Sequence, residues 1–276
     1  MTGRLQTDTS GSLGDVDQSD PRPVRFVESR PLSDVAAPSA NELPFSVRIV
    51  RTEEHLSKAI EIRAAAYGRH FPEIGERFRD PEEADRAPFS LVLLAESKET
   101  GEALGTLRIE TNFKGPLSVE TLMPEESQYA GKTIAFVTRL GVKQCPEANF
   151  IKLTLFKALH RYCLACQIEW IVVIARPPMD RQYLKLSFMD VYRGGELIPI
   201  AWADNVPMRL LVLEAVSLER KWRSIRHPLY KFFFTDYTPD ITIFSSVTGV
   251  WGRPRMQVEP LPEPAALEQV FGISVV

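Results

Sequence analysis

Cysteine is scarce in this 276-residue sequence, with only Cys145, Cys163 and Cys166 present, so any disulfide would leave one thiol over and no framework of bridges can form. Cys163-Leu-Ala-Cys166 has the spacing of a metal or redox pair. No second pair follows at zinc-ribbon distance, and the pair falls inside a helical pattern, which reads as two core or half-buried thiols. The four histidines, His55, His70, His160 and His227, show no ligand spacing, so no metal is expected. Long apolar runs are also missing. Trp170-Ile-Val-Val-Ile-Ala175 falls far short of the ~20 residues that span a bilayer, which excludes integral membrane association. The first residues carry Asp, Ser, Thr and Gly instead of an apolar signal core, and the expectation is a soluble cytoplasmic protein in a reducing environment. Positive charge is not in excess either. A net charge of -3 excludes a global basic field and with it nucleic acid as a partner. Without a P-loop, a dinucleotide fingerprint or an H-E-x-x-H motif, kinase, dehydrogenase and metalloprotease chemistry drop out.

What is present divides the chain into three. Residues 1–44 are rich in Ser, Asp and Pro and cannot bury enough apolar surface to offset their ordering entropy, so they read as a disordered arm. Residues 251–276 read as a Pro-rich tail, leaving one domain over 45–250. Within it, Phe45–Val50 alternates as a strand, and Thr52 caps a helix whose apolar stripe is Leu56, Ala59, Ile60, Arg63 and Tyr67. Residues 70–88 form a long polar connection. Strands are expected at 89–96, 103–110 and 134–142. A helix follows with Ile151, Leu155, Leu159, Tyr162 and Cys166 on one stripe, and with Lys152, Lys157, solvated His160 and Arg161 off it. Next come a buried strand over 168–175, a helix opened by Pro177-Pro178 and running to Ser187, a strand from Phe188, closing strands near 197–203 and 209–214, and a late helix over 215–226. This order implies an α/β (α+β) fold: a mixed sheet flanked by helices on both faces, with a ligand crevice where parallel strands splay.

Two stretches carry a resemblance. Phe136-Val-Thr-Arg-Leu-Gly-Val142 resembles the central strand of the GNAT acyltransferase superfamily, and Tyr183-Leu-Lys-Leu-Ser-Phe188 resembles its Y-x-x-x-G-F element, with Ser187 where Gly is usual. Asp85, Gly105-Thr-Leu-Arg108, Thr138-Arg139, Leu155-Phe-Lys-Ala158, Arg181-x-Tyr183, Phe188-Met-Asp190 and Tyr237-Thr-Pro-Asp-Ile241 recur in the order found in long-chain N-acyl amino acid synthases, relatives of the acyl-homoserine-lactone synthases. The resemblance implies a GNAT-like fold with a mostly antiparallel central sheet, splayed at the central strands, and transfer of an acyl group to a small amine. It has two departures. The lactone synthases place a Glu where this chain has Phe136, and their Asp-x-x-Asp falls on Glu82 and Asp85.

By this resemblance Tyr183 is the general acid for the departing sulfur, or else a core tyrosine. A backbone N–H between Leu140 and Val142 holds the oxyanion, and Gly141 admits the thioester or merely relieves packing. Arg63, Asp85, Arg108 and Arg139 are the charged set singled out for the acceptor. An arginine among them would grip a carboxylate in a fork, unless the strand arginines are spent on ion pairs with Asp85 or Glu110. The donor is an acyl-phosphopantetheine thioester and no cofactor is permanently bound. Lys143-Gln-Cys-Pro-Glu-Ala-Asn149 has no glycine, Pro146 lacks an N–H and Glu147 repels phosphate, so an acyl carrier protein fits better than acyl-CoA. The basic run Arg220, Lys221, Arg223 and Arg226 around Trp222 would dock that acidic carrier, or would only complement a helix end. The alternatives are a GNAT enzyme using acyl-CoA or another small amine, such as a lactone precursor, and an acyl-binding module without catalysis.

Overall fold

The computed structural model describes residues 42–125, 127–203 and 205–243. The expected arm up to residue 41 and the tail from 244 onward lie outside the described residues. Leu43 is already buried, two residues ahead of the expected domain boundary.

The elements in order are β1 (Phe45–Ile49), α1 (Glu53–Gly68), α2 (Pro72–Arg77), β2 (Ser90–Ser97), β3 (Ala103–Thr111), β4 (Ile134–Val142), α3 (Ala148–Ala165), β5 (Trp170–Ala175), α4 (Asp180–Lys185), β6 (Met189–Asp190), β7 (Ile198–Ile200), β8 (Val206–Glu214), α5 (Leu218–Ser224) and β9 (Ile241–Thr242). Single 3₁₀ turns at Glu83–Asp85 and Ser118–Leu122 and a π-turn at Lys231–Thr235 connect them. Thr52 starts α1 as expected, its hydroxyl accepting from the His55 N–H at 3.2 Å. The helix expected from Pro177 begins at Asp180.

The strands form one sheet in the order β6-β8-β5-β4-β3-β2-β1-β9, with β7 paired to β8. Only β4–β5 and β1–β9 are parallel. The two faces are covered differently. On one face Leu93, Leu107, Ile109, Ala135, Val137, Ile171 and Val173 join α3 and α5 in a continuous core. Each such fully buried aliphatic side chain contributes ~1.5–3 kcal/mol. On the other face the core is split in two. Val92 and Leu94 pack under α1, while Phe136, Trp170, Val172 and Val212 pack under Val119 and Tyr129. Between these clusters β3 and β4 present Thr106, Arg108 and Thr138, and there the site lies.

One stretch of the helix pattern misled. Lys157 and His160, expected on the solvent side of α3, are buried, because residues 229–243 wrap over that face. Lys157 donates to the carbonyls of Phe232 (2.5 Å) and Asp236 (2.8 Å) and to the Thr238 hydroxyl (2.8 Å), and burial pushes its ammonium down to about 8. His160 meets the Ala215 carbonyl at 2.8 Å. Asp240 accepts from the Leu43 N–H at 2.7 Å and its carbonyl from Val47 at 2.8 Å. The late Tyr237–Ile241 motif therefore staples β1.

Candidate active site

β4 leaves β5 halfway along its length. The parallel register runs from Ile134↔Trp170 to Val137↔Val173 and stops, while β4 continues to Val142 beside β3 and β5 continues to Ala175 beside β8. Thr138–Val142 thus has a strand on one edge only, and a wedge opens at the C-terminal ends of the two parallel strands. A bulge accompanies the split. Thr106 faces Gly141 and Arg108 faces Thr138, leaving Arg139 and Leu140 opposite Leu107. Arg139 adopts φ 56°, a left-handed conformation that costs a non-glycine residue ~1–2 kcal/mol. The bulge brings Thr138, the Arg139 guanidinium and Gly141 to the α1 face.

On that face three arginines and three carboxylates meet. Arg63, from α1, donates to both oxygens of Asp85 (2.9 and 3.0 Å) and to the Asp80 carbonyl (3.1 Å). Arg108 reaches Glu110 (3.0 Å), Glu82 (2.9 Å), Asp85 (3.0 Å) and the Thr138 hydroxyl (3.2 Å). Arg139 grips Glu82 in a fork, Nε to Oε2 at 2.7 Å and Nη2 to Oε1 at 2.6 Å, and lies over the Phe78 ring at 4.3 Å. Burial would raise the Glu82 carboxyl, but the Arg139 fork and the charges of Arg108 and Arg63 outweigh it and hold the group at about 2. Arg63, Asp85 and Arg108 are locked inside, whereas Arg139 keeps 16% of its side chain exposed and Glu82 29%. Arg108 makes the ion pairs with Asp85 and Glu110 that the sequence left open, and Arg63 pairs with Asp85 as well. Arg139 meets Glu82, a partner the sequence reading did not assign.

Tyr183, on α4, lies edge-on to Phe156 (5.6 Å) and Phe188 (5.4 Å). Burial pushes its phenol up, and the nearby Tyr67 phenol pushes the same way, so it stays protonated at neutral pH. Tyr67, on the last turn of α1 and edge-on to Phe78 at 4.9 Å, has its phenol pushed up by burial, against the charges of Arg139, Arg63 and Arg108.

A Cβ on Gly141 would meet Ala66 Cβ at 3.1 Å, Arg63 Cα at 3.2 Å and the Ile62 carbonyl at 3.3 Å. Its missing side chain lets α1 pack close, which is the packing alternative for this glycine. Leu140 and Val142 are half-buried on the unpaired edge, and the Val142 carbonyl accepts from Arg69 at 3.1 Å. Ser187 takes φ 70°, the conformation a glycine would supply, and its hydroxyl accepts from Trp222 Nε1 at 2.9 Å.

The α5 run is less free than its composition suggests. Trp222 is fully buried, Lys221 reaches the Ser187 carbonyl at 3.3 Å, and Arg223 is tied to Glu219 (2.7 Å) and Tyr230 (2.9 Å). Arg220 and Arg226 are exposed. A second set of cations, not read as docking residues in the sequence, sits on the segments that follow α1, β4 and β5. Besides Arg69 it has Lys152, bonded to Asn149 and Gln182, and Arg176, stacked on Phe71 at 4.2 Å. At the start of α3, Glu147 occupies the cap position without a side-chain capping bond. Among the described residues no group of three or more metal-ligating side chains comes together and no helix is long and apolar enough to cross a membrane.

No protein-family model matches the chain, and no curated protein matches it in sequence. Solved structures do match in fold. FeeM, an N-acyl amino acid synthase from uncultured soil microbes, superposes with a TM-score of 0.51 at 18% identity over 68% of this chain and 96% of its own. BjaI, a CoA-dependent acyl-homoserine lactone synthase with SAM and isopentyl-CoA, gives 0.50 at 15% identity over 70% and 93%. The chain shares its fold with these two synthases, as the sequence resemblance implied.

Proposed function

We propose that this protein is an N-acyltransferase that moves a long-chain acyl group from an acyl carrier protein thioester to the amine of an amino acid. The observation that carries this reading is the split between β4 and β5, with the arginine–carboxylate cluster gathered on the α1 face beside the unpaired part of β4. The amine, having lost its proton to solvent, attacks the thioester carbonyl. Glu82, held at about 2, is too weak a base to take that proton. The oxyanion is held by backbone N–H groups of the unpaired edge near Leu140–Val142. The C–S bond breaks as Tyr183 gives its proton to sulfur, and the phenol regains one from the nitrogen, directly or through water. Amide and free thiol are the products.

The preference for a carrier protein rests on the turn between β4 and α3, where Pro146 and Glu147 offer no cradle for a pyrophosphate. For docking of an acidic carrier, Arg69, Lys152 and Arg176, on the segments after α1, β4 and β5, would supply positive charge, and Arg220 and Arg226 add charge on and just after α5. The test is purified protein supplied with carrier-bound or CoA-bound acyl thioesters and an amino acid mixture, with products read by mass spectrometry. N-acyl amino acids should form, faster from the carrier. Equal turnover with CoA would overturn the donor, and thioester binding without product would favour a non-catalytic acyl-binding module.

A further inference from the structure

The recess formed by Arg63, Arg108 and Arg139 already contains a carboxylate, and it belongs to the chain. Glu82 Oε1 accepts from Arg139 Nη2 at 2.6 Å, and Oε2 accepts from Arg139 Nε at 2.7 Å and Arg108 Nη1 at 2.9 Å, with Arg63 Nη1 at 3.3 Å. A forked grip by one guanidinium, backed by two more, is the arrangement a free carboxylate would seek. Asp85 differs in kind. Its side chain is wholly buried, holds both Arg63 and Arg108, and accepts the Glu82 backbone N–H at 2.8 Å. Asp85 fixes the backbone at Glu82, while the Glu82 side chain, 29% exposed and on an irregular connection, closes the recess from the open side.

We infer that Glu82 is an internal surrogate for the acceptor's carboxylate, filling the arginine recess of the empty protein and swinging out when an amino acid takes its place. The inference rests on the proposed amino acid acceptor. The charge balance supports exchange over addition. Three arginines face Glu82, Asp85 and Glu110, so the set is neutral, and a fourth carboxylate entering beside Glu82 would meet an unmatched like charge. Replacing Glu82 keeps the recess neutral. An amine without a carboxylate cannot make this exchange, which turns Glu82 into a filter on acceptor chemistry.

The test uses Glu82→Ala and Glu82→Gln in the full chain. With sodium acetate or glycine titrated against matched sodium chloride, Glu82→Ala should show a saturable rise in Tm at about tenfold lower concentration than the wild type. In the acyl transfer assay its KM for the amino acid should fall about tenfold, because the competing occupant is gone. If Glu82→Ala fails to fold, Glu82→Gln, of the same shape, should show both effects at smaller size. A raised or unchanged KM, or no carboxylate-specific rise in Tm, would overturn the surrogate and make Glu82 a fixed strut or a ligand of the ammonium. Absence of any acyl product alongside the Tm effect would instead count against the proposed reaction while leaving the recess standing.

Discussion

Glu82 titrates in a window that can be observed without knowing the reaction. Its carboxyl lies at about 2 in the folded protein against 4.5 for the free side chain. That difference corresponds to about 3 kcal/mol of stability. The folded value is the depressed one, so the contribution is complete above about pH 5 and is lost as pH falls toward 2. Glu82→Gln removes the titration while keeping the side chain's volume. Urea unfolding of both proteins at intervals from pH 7 to pH 3 measures the difference directly. The variant should be less stable at neutral pH by up to about 3 kcal/mol, with the gap narrowing steadily on acidification. A gap that stays constant with pH would show that Glu82 is not ion-paired in solution, and the charge argument for the arginine recess would fail with it.

Tyr183→Phe deletes a hydroxyl for which no hydrogen-bond partner exists among the described residues, so Tm should hardly move while kcat falls ~10²–10⁴-fold. Wild-type kcat would return the residue to the core. Gly141→Ala should destabilise by ~1–3 kcal/mol in thermal unfolding, since the new methyl meets the backbone of α1. Unchanged stability with lost turnover would favour the thioester role over packing. Arg139→Lys keeps the charge but not the fork and should raise KM for the amino acid and leave donor KM alone. Lys157, held at about 8 against 10.5 when free, opposes folding while charged, so wild-type stability should rise from pH 8 to 10.5 and that rise should vanish in Lys157→Met. Parallel pH profiles of the two would remove the buried cation.

The strands that build the wedge were legible because their chemistry is one-sided. Ile134–Val142 reads as a strand and is one to the residue, and Thr52 caps α1 as its hydroxyl permits. Polar residues that are buried by something distant were not legible. Lys157 and His160 look like solvent-facing positions of α3 until residues 229–243 are laid over them, and no local period announces that cover. Leu117–Tyr129 lacks periodicity yet supplies Val119 and Tyr129 to the second core. Glu82 was visible only as half of an imperfect acidic pair, and its meeting with Arg139 spans 57 positions of sequence.

Two departures from the synthase pattern, Phe136 and Ser187, were the features that kept a non-catalytic module in contention. Both are compensated in place. Ser187 holds the left-handed backbone that a glycine would hold, and its hydroxyl is engaged by the buried Trp222. Phe136 packs with Val119, Trp170 and Val172, where a carboxylate would be stranded in an apolar cluster. Directly across the ladder from Phe136 stands Glu110, on β3, accepting from Arg108 and from the Thr138 hydroxyl. Opposed residues on neighbouring antiparallel strands have Cβ atoms only ~4.5–5.5 Å apart. Glu110 thus places a carboxylate beside Phe136, attached to the arginine cluster.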